Sequence, residues 1–450
     1  MRLLSDSPIA RNALFISFKD ENLSFAETKV RIDETAEEFR NSGIRANDIV
    51  ALAPDNTIKS IISILALVSI GSDIVLLNPQ LKEEERTYLL EIAEVNYLVG
   101  TSIKIVNEVS KSGRGGESQI ILFTSGTSGS PKGVILTLEN FKRNALASKK
   151  RLGLEVGDRW LLNLPVYHVG GLAILFRAVY LNLSIVIHDR FDIKKTSNCI
   201  KRGDVNIVSF VPTMLHRLLK NDIEPLKKLK VLLLGGAKPN SDLLDICIRE
   251  KLRIFTTYGM TESCSQIATA TPEMVYQDRT TVGYPLDEME IRITHNGEEC
   301  VQGCEGSIEI RGSQVFVGYI GEQPLSGFFT TGDTGYIDEK GELHVLGRAD
   351  ETIITGGENV HPLEIEEVIS QYRGVQKLCV FGVEDHEWGQ RIEVAIESNE
   401  EIMTKELKKF LRERLPAFKI PKRFHFFKLP LTTSGKVNRS QVKQMVELSK

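Results

Sequence analysis

Residues 124–133 read Thr-Ser-Gly-Thr-Ser-Gly-Ser-Pro-Lys-Gly and follow directly on the apolar run Ile121-Leu122-Phe123. The backbone N–H groups of such a glycine-rich loop point outward in turns and can cradle an anion. The hydroxyls of Thr124, Ser125, Thr127 and Ser128 add donors, Gly126 and Gly129 let the chain approach closely, and Lys132 adds a cation. The chemistry this set suits is the holding of a polyphosphate. It is not the P-loop pattern Gly-x-x-x-x-Gly-Lys-Ser/Thr, because Pro131 precedes Lys132 and Gly133 stands where a magnesium-binding hydroxyl would be.

The elements that must position this loop are legible from periodicity. Short apolar segments at 49–52, 74–77, 97–99, 120–123, 160–164, 184–187, 207–210 and 231–234 read as strands, separated by amphipathic helices such as 25–42 and 140–152. That alternation predicts α/β layers with largely parallel sheets. The uncharged stretch 60–72 is too short to span a bilayer and reads as a buried helix. A second, 160–176, carries Pro165, His168 and Gly170-Gly171, which argues against a membrane helix. From Thr281 the texture changes to short antiparallel strands with hairpin signals at Asn296-Gly297 and Lys340-Gly341. After Asp350 comes a small α+β segment with helices at 362–371 and 404–415. The expected fold is therefore a large N-terminal domain of layered α/β sheets with a small β-barrel-like subdomain, residues 1–349. A small α+β domain, residues 350–450, follows it.

Composition narrows the partners. With 56 Lys and Arg against 60 Asp and Glu the chain is nearly balanced, which gives no reason to expect nucleic acid or an anionic membrane surface. The N-terminus lacks the apolar run of a secretory signal, and six scattered cysteines show no disulfide spacing, so reduced thiols in the cytoplasm are expected. Cys300, Cys304 and His295 fall short of the four ligands of a structural zinc site.

The loop resembles the phosphate loop of the adenylate-forming superfamily, and four further motifs follow in that superfamily's order. Tyr258-Gly259-Met260-Thr261-Glu262 is similar to its adenine-and-magnesium motif, Thr331-Gly332-Asp333 to its ribose motif, Gly347 to Pro362 to its hinge, and Thr433 to Arg439 to its catalytic-lysine loop. The resemblance implies ATP, Mg²⁺ and coenzyme A as substrates and cofactor. It places Tyr258 on the base, Thr261 on the α-phosphate, Glu262 on magnesium, and Asp333 and Arg348 on ribose. Gly235-Gly236-Ala237 and Gly259 would complete the nucleotide site. Asp350 would be the hinge of a mobile C-terminal domain, Gly356-Gly357 would face coenzyme A, and Lys436 would stabilise charge developing during adenylation. Catalytic roles thus fall on Lys436, Glu262, Lys132 and His168.

Segments 158–172, 189–191, 232–237 and 258–267 resemble more narrowly the ligases that activate o-succinylbenzoate, although Val169-Gly170 departs from their usual Ile-Ser. That acid has two carboxylates and an aryl ring. His168, Arg177, Ser263 and Ser265 are the candidate substrate residues, Arg177 as the cation for the carboxylate that does not react. An aryl- or medium-chain acyl-CoA synthetase, an adenylation domain loading a separate carrier protein, and a nucleotide-binding pseudoenzyme are the alternatives. Related ligases often self-associate, so a homo-oligomer fits the resemblance, with no interface legible.

Overall fold

A computed structural model describes residues 12–100, 102–107, 118–125, 131–355, 358–386, 388–431 and 437–448, the side chains of Ser125 and Asn359 excepted. Gly126, Thr127, Ser128, Gly129, Gly356, Gly357 and Lys436 lie outside the described residues.

Strands such as Ile49–Leu52 and Val231–Leu234 are apolar at every position, and Ile207–Phe210 at all but Ser209, because parallel sheets in α/β proteins are covered on both faces. Among the described residues four sheets form. The largest has nine strands, with Ile254–Tyr258, Val231–Leu234, Ile207–Phe210, Arg159–Leu162, Ser184–Ile187 and Leu14–Phe18 running parallel through its middle. The second has seven strands, centred on the parallel set Gln119–Ser125, Asp73–Leu76, Ile49–Leu52 and Tyr97–Val99. One apolar cluster draws on both sheets and on the helices between them, joining Val50, Leu76 and Leu122 to Leu162, Ile185 and Phe255. Truncating any such fully buried side chain to alanine costs about 2–5 kcal/mol, so the two sheets form one stiff support.

Local signals set the boundaries. The 60–72 stretch is the helix Ile58–Ile70, almost wholly buried, capped by Thr57 and ended by Gly71 at φ +90°. The helix expected from 140 starts at Leu138, because the Thr137 hydroxyl caps the Asn140 amide and the Asn140 side chain caps back. The flanks of the expected phosphate loop differ from the strand-then-loop reading, since Pro131–Thr137 is itself a strand that runs antiparallel to Gln119–Ser125, with Thr124 opposite Lys132. Val134 and Leu136 are fully buried, which is the driving force for that second strand.

Antiparallel pairing occurs before Thr281 as well, as where Ala268–Ala270 pairs with Ile254–Tyr258. The expected barrel-like subdomain takes the form of a five-stranded antiparallel sheet. Asn296 (φ 52°) and Gly297 (φ 84°) make the two-residue hairpin turn between Met289–His295 and Glu298–Glu299. The fourth sheet uses only residues from Ile353 to Phe426, and a core of its own lies beneath it, including Ile365, Val380, Val394 and Leu407. This last unit meets the rest through Gln371 Nε2, which donates to Ser241 Oγ at 3.2 Å, and through Lys238 and Glu367 at 3.8 Å.

Candidate active site

Three of the sequence segments lie at the carboxyl ends of the parallel strands of the nine-stranded sheet, where open α/β sheets bind ligands. Gly235-Gly236-Ala237 follows Val231–Leu234, Tyr258 ends Ile254–Tyr258, and His168 lies six residues beyond the end of Arg159–Leu162. Gly236 and Ala237 are exposed there.

Tyr258 and Asp333 meet directly. The Tyr258 hydroxyl donates to Asp333 Oδ2 at 2.6 Å, and Arg348 Nη1 lies 3.5 Å from Asp333 Oδ1. The sheet arranges this, because Asp333 and Arg348 are cross-strand partners on adjacent antiparallel strands. Arg348 also donates to Asp350 Oδ1 at 3.2 Å and to the Thr331 carbonyl at 3.1 Å. Gly332 makes room, since a Cβ there would lie 2.8 Å from the Arg348 guanidinium, and its φ of +76° suits glycine. Burial raises the Asp333 carboxyl above its usual range, opposed by Tyr258 and Arg348. Burial and then Asp333 push Tyr258 well above a free phenol, so it stays a neutral donor. Two carboxylate oxygens, one phenol and one guanidinium can together hold a diol beside an aromatic ring.

Glu262 lies in the short helical turn Thr261–Ser263 and is buried. Its Oε1 accepts a hydrogen bond from the Tyr319 hydroxyl at 2.8 Å, and its carbonyl accepts from the Phe316 amide at 2.8 Å. Among the described residues no lysine or arginine pairs with it, and no group of three or more potential ligands gathers for a metal. A lone carboxylate at a phosphate site fits magnesium, which keeps waters and takes its other oxygens from a nucleotide. Lys132 Nζ stands 4.6 Å over the Tyr319 ring and 3.5 Å from Glu322.

The turn holding Glu262 is tightly built. Cys264 (φ 55°) and Ser265 (φ 104°) are left-handed non-glycine residues, a conformation that costs about 1–3 kcal/mol each. A Cβ on Gly259 would lie 1.6 Å from the Ser265 carbonyl oxygen, so only glycine fits there. Ser263 is fully buried, and its hydroxyl accepts from the Met260 amide (3.1 Å) and donates to the Met260 carbonyl (3.0 Å). It serves its own turn, while Ser265 is half-buried beside it.

His168 is the residue before the helix Val169–Leu181, half-buried, its ring 4.6 Å from that of Tyr167. Arg177, two and a half turns further along, is 2% exposed. Its Nε donates to Ser148 Oγ at 3.1 Å, its Nη2 donates to Asn144 Oδ1 at 2.7 Å, and the guanidinium stands 5.4 Å over the Trp160 ring. Among the described residues no carboxylate pairs with it, and burial pulls its pKa down to about 10. The shell continues through Gln266, which accepts from Ser148 at 2.6 Å, and Gln314, which accepts from Asn144 at 3.0 Å.

Sequence reasoning missed Tyr319, Glu322 and the Asn144–Ser148–Gln266 shell. Tyr319 lies 57 residues from Glu262, and no local spacing signals the contact. Asn144 and Ser148 are polar residues four apart on the buried face of Leu138–Leu152, and that periodic polarity was a signal available to find them.

Residues 6–119 and 110–320 match the AMP-binding enzyme family, and residues 364–436 match the AMP-binding enzyme C-terminal domain. The 2-succinylbenzoate–CoA ligase of Bacillus licheniformis is 35% identical over 458 residues, covering 94% of this chain and 95% of that one. The o-succinylbenzoate-CoA synthetase of Bacillus subtilis in complex with its acyl-adenylate intermediate superposes with a TM-score of 0.89 at 31% identity, covering 97% of this chain and 96% of that one. The same Bacillus subtilis enzyme with ATP and a magnesium ion gives 0.88 at 31% identity, covering 96% of each.

Proposed function

The chain belongs to the AMP-binding enzymes, in the family of the 2-succinylbenzoate–CoA ligases, and on that premise we propose the following reaction and division of labour. It is an acid–thiol ligase that converts o-succinylbenzoate, ATP and coenzyme A to o-succinylbenzoyl-CoA, AMP and diphosphate, a step of menaquinone biosynthesis. In the first half a carboxylate oxygen of the acid attacks the α-phosphorus of ATP, the bond to pyrophosphate breaks, and an acyl-adenylate forms. In the second the thiol of coenzyme A loses its proton, its sulfur attacks the acyl carbon, and the bond to AMP breaks.

The observation that carries the choice of acid is Arg177. A fully buried guanidinium held by a hydroxyl and an amide, with no carboxylate among the described residues, suits a substrate that brings one. His168, at the start of the same helix, would face the aryl end, and half-buried Ser265 borders the turn. Asp333 and Arg348 would hold the ribose and Tyr258 the base, with Gly235, Gly236, Ala237 and Gly259 completing the nucleotide site. Thr124, Ser125, Gly126, Thr127, Ser128, Gly129 and Thr261 would surround the phosphates. Magnesium, held by Glu262 and phosphate oxygens, would neutralise charge on the phosphates, and Lys132 would do the same for departing pyrophosphate.

We divide the chain at 349/350. Asp350 sits exposed in the turn Ala349–Glu351 between the third and fourth sheets, a suitable pivot. Rotation there would exchange Lys436 for Gly356-Gly357, so that one cavity serves both halves. Among the described residues no helix is long and apolar enough to cross a membrane. We place the enzyme in the cytoplasm, where its substrates ATP and coenzyme A are made, and self-association is tested by sedimentation. The reaction itself is tested by incubating enzyme, ATP, magnesium and o-succinylbenzoate without coenzyme A. Pyrophosphate and an acyl-adenylate of the correct mass are the expected products, and their absence would overturn the proposal.

A further inference from the structure

One side chain touches both charged groups of the phosphate site. Tyr319 donates its hydroxyl to Glu262 Oε1 at 2.8 Å, while Lys132 Nζ stands 4.6 Å over its ring. Its backbone is tied to the same strand as Lys132. Gly318–Tyr319 pairs antiparallel with Pro131–Thr137, Tyr319 opposite Val134, and the Ile320 amide donates to the Gly133 carbonyl at 2.9 Å. The strands are close-packed, since a Cβ on Gly133 would lie 2.4 Å from Ile320 Cδ1. The ring is held edge-on by Phe316, at 4.9 Å between centroids, and by Phe329, at 6.4 Å. Phe316 in turn donates its amide to the Glu262 carbonyl at 2.8 Å.

From this geometry we propose that Tyr319 is a positioning residue for adenylation. Its hydroxyl fixes the rotamer of the metal-binding carboxylate Glu262, leaving Oε2 for the cation, and its ring face fixes the approach of Lys132 to the pyrophosphate. The proposal rests on the assignment of Glu262 and Lys132 above and is independent of which acid is activated. Without the hydroxyl, Glu262 must be ordered by the metal itself, and affinity falls. Without the ring, the lysine loses the face it rests on and, among the described residues, Glu322, 3.5 Å away, competes for it.

The test uses two variants and one measurement that needs no turnover. Binding of Mn²⁺ in the presence of a non-hydrolysable ATP analogue is followed by electron paramagnetic resonance. For Tyr319→Phe, about a tenfold rise in the Mn²⁺ dissociation constant is expected, the usual worth of a hydrogen bond to a charged group. The Mg²⁺ concentration for half-maximal pyrophosphate release should rise in parallel, with the KM values for acid and coenzyme A unchanged. Tyr319→Leu should show the same metal defect and, in addition, a raised KM for ATP. Unchanged Mn²⁺ affinity in a Tyr319→Phe protein that melts like the parent would overturn the proposal, as would an equal loss in all KM values. A parent enzyme that binds Mn²⁺ and nucleotide but activates no o-succinylbenzoate would refute the acid assignment alone.

Discussion

Replacing Arg177 by glutamine should separate the enzyme's stability from its recognition of a dicarboxylate. The guanidinium is fully buried, its partners among the described residues are neutral, and burial lowers its pKa to about 10. A drop of that size corresponds to roughly 3 kcal/mol by which the fold disfavours the charge, at 1.36 kcal/mol per decade of proton affinity. Removing the charge relieves that cost. Against it stand two hydrogen bonds, to Ser148 Oγ and Asn144 Oδ1, each leaving a group worth about 1–3 kcal/mol if orphaned. The glutamine amide can keep the Asn144 contact, so the two effects nearly cancel and the melting temperature should stay within a few degrees of the parent. The substrate feels something different. A charge-assisted hydrogen bond to its free carboxylate is worth about 1.5–3 kcal/mol, or roughly 10–150-fold in kcat/KM. The assay is steady-state pyrophosphate release with o-succinylbenzoate and with an aryl acid of similar size lacking the second carboxylate. The loss should appear for the dicarboxylate alone. An equal loss for both acids, or a large fall in melting temperature, would show that Arg177 is a structural cation and not a receptor.

Three further changes probe the rest of the machinery. Lys436→Ala should lower adenylation by at least 100-fold, consistent with the worth of a preorganised charge at a transition state, while thioester formation from preformed acyl-adenylate stays near the parental rate; rapid quench of each half-reaction decides it. Asp350→Pro, in the turn Ala349–Glu351, should slow the overall reaction while sparing adenylation in a single turnover, and a normal overall rate would remove the pivot from that residue. Gly259→Ala should destabilise the chain by more than about 2 kcal/mol and abolish ATP binding, because its Cβ would lie 1.6 Å from the Ser265 carbonyl oxygen; a denaturant melt and a nucleotide titration check both.

Much of this architecture is legible in the sequence where one kind of residue is needed for one reason. The segments 49–52, 97–99, 184–187, 207–210 and 231–234 are strands from end to end; 49–52, 207–210 and 231–234 are buried at every position, and a strand covered on both faces is apolar at nearly all of them. The strand expected at 160–164 is shorter, Arg159–Leu162, since Pro165 lies just ahead and the chain turns toward His168. Pro131–Thr137 was hidden by its beginning, which reads as loop chemistry although its second half is buried strand. At the site, Tyr258, Glu262, Asp333 and Arg348 announce themselves as ordered motifs. What the sequence leaves silent is contact across distance. Nothing in Gly318-Tyr319-Ile320 says that its phenol meets a carboxylate in the turn Thr261–Ser263, and nothing in Ser263 says that its hydroxyl is spent on Met260. Arg177 was chosen for its charge; only the fold shows that the charge is buried against neutral groups.

The measurement that bears most directly on the central claim is coenzyme A thioester formation with ATP and magnesium across o-succinylbenzoate, benzoate, octanoate and acetate. The account predicts o-succinylbenzoyl-CoA formed with a kcat/KM at least 100-fold above that of any other acid, with AMP released in equal amount. Preference for another acid, or ADP in place of AMP, would contradict it.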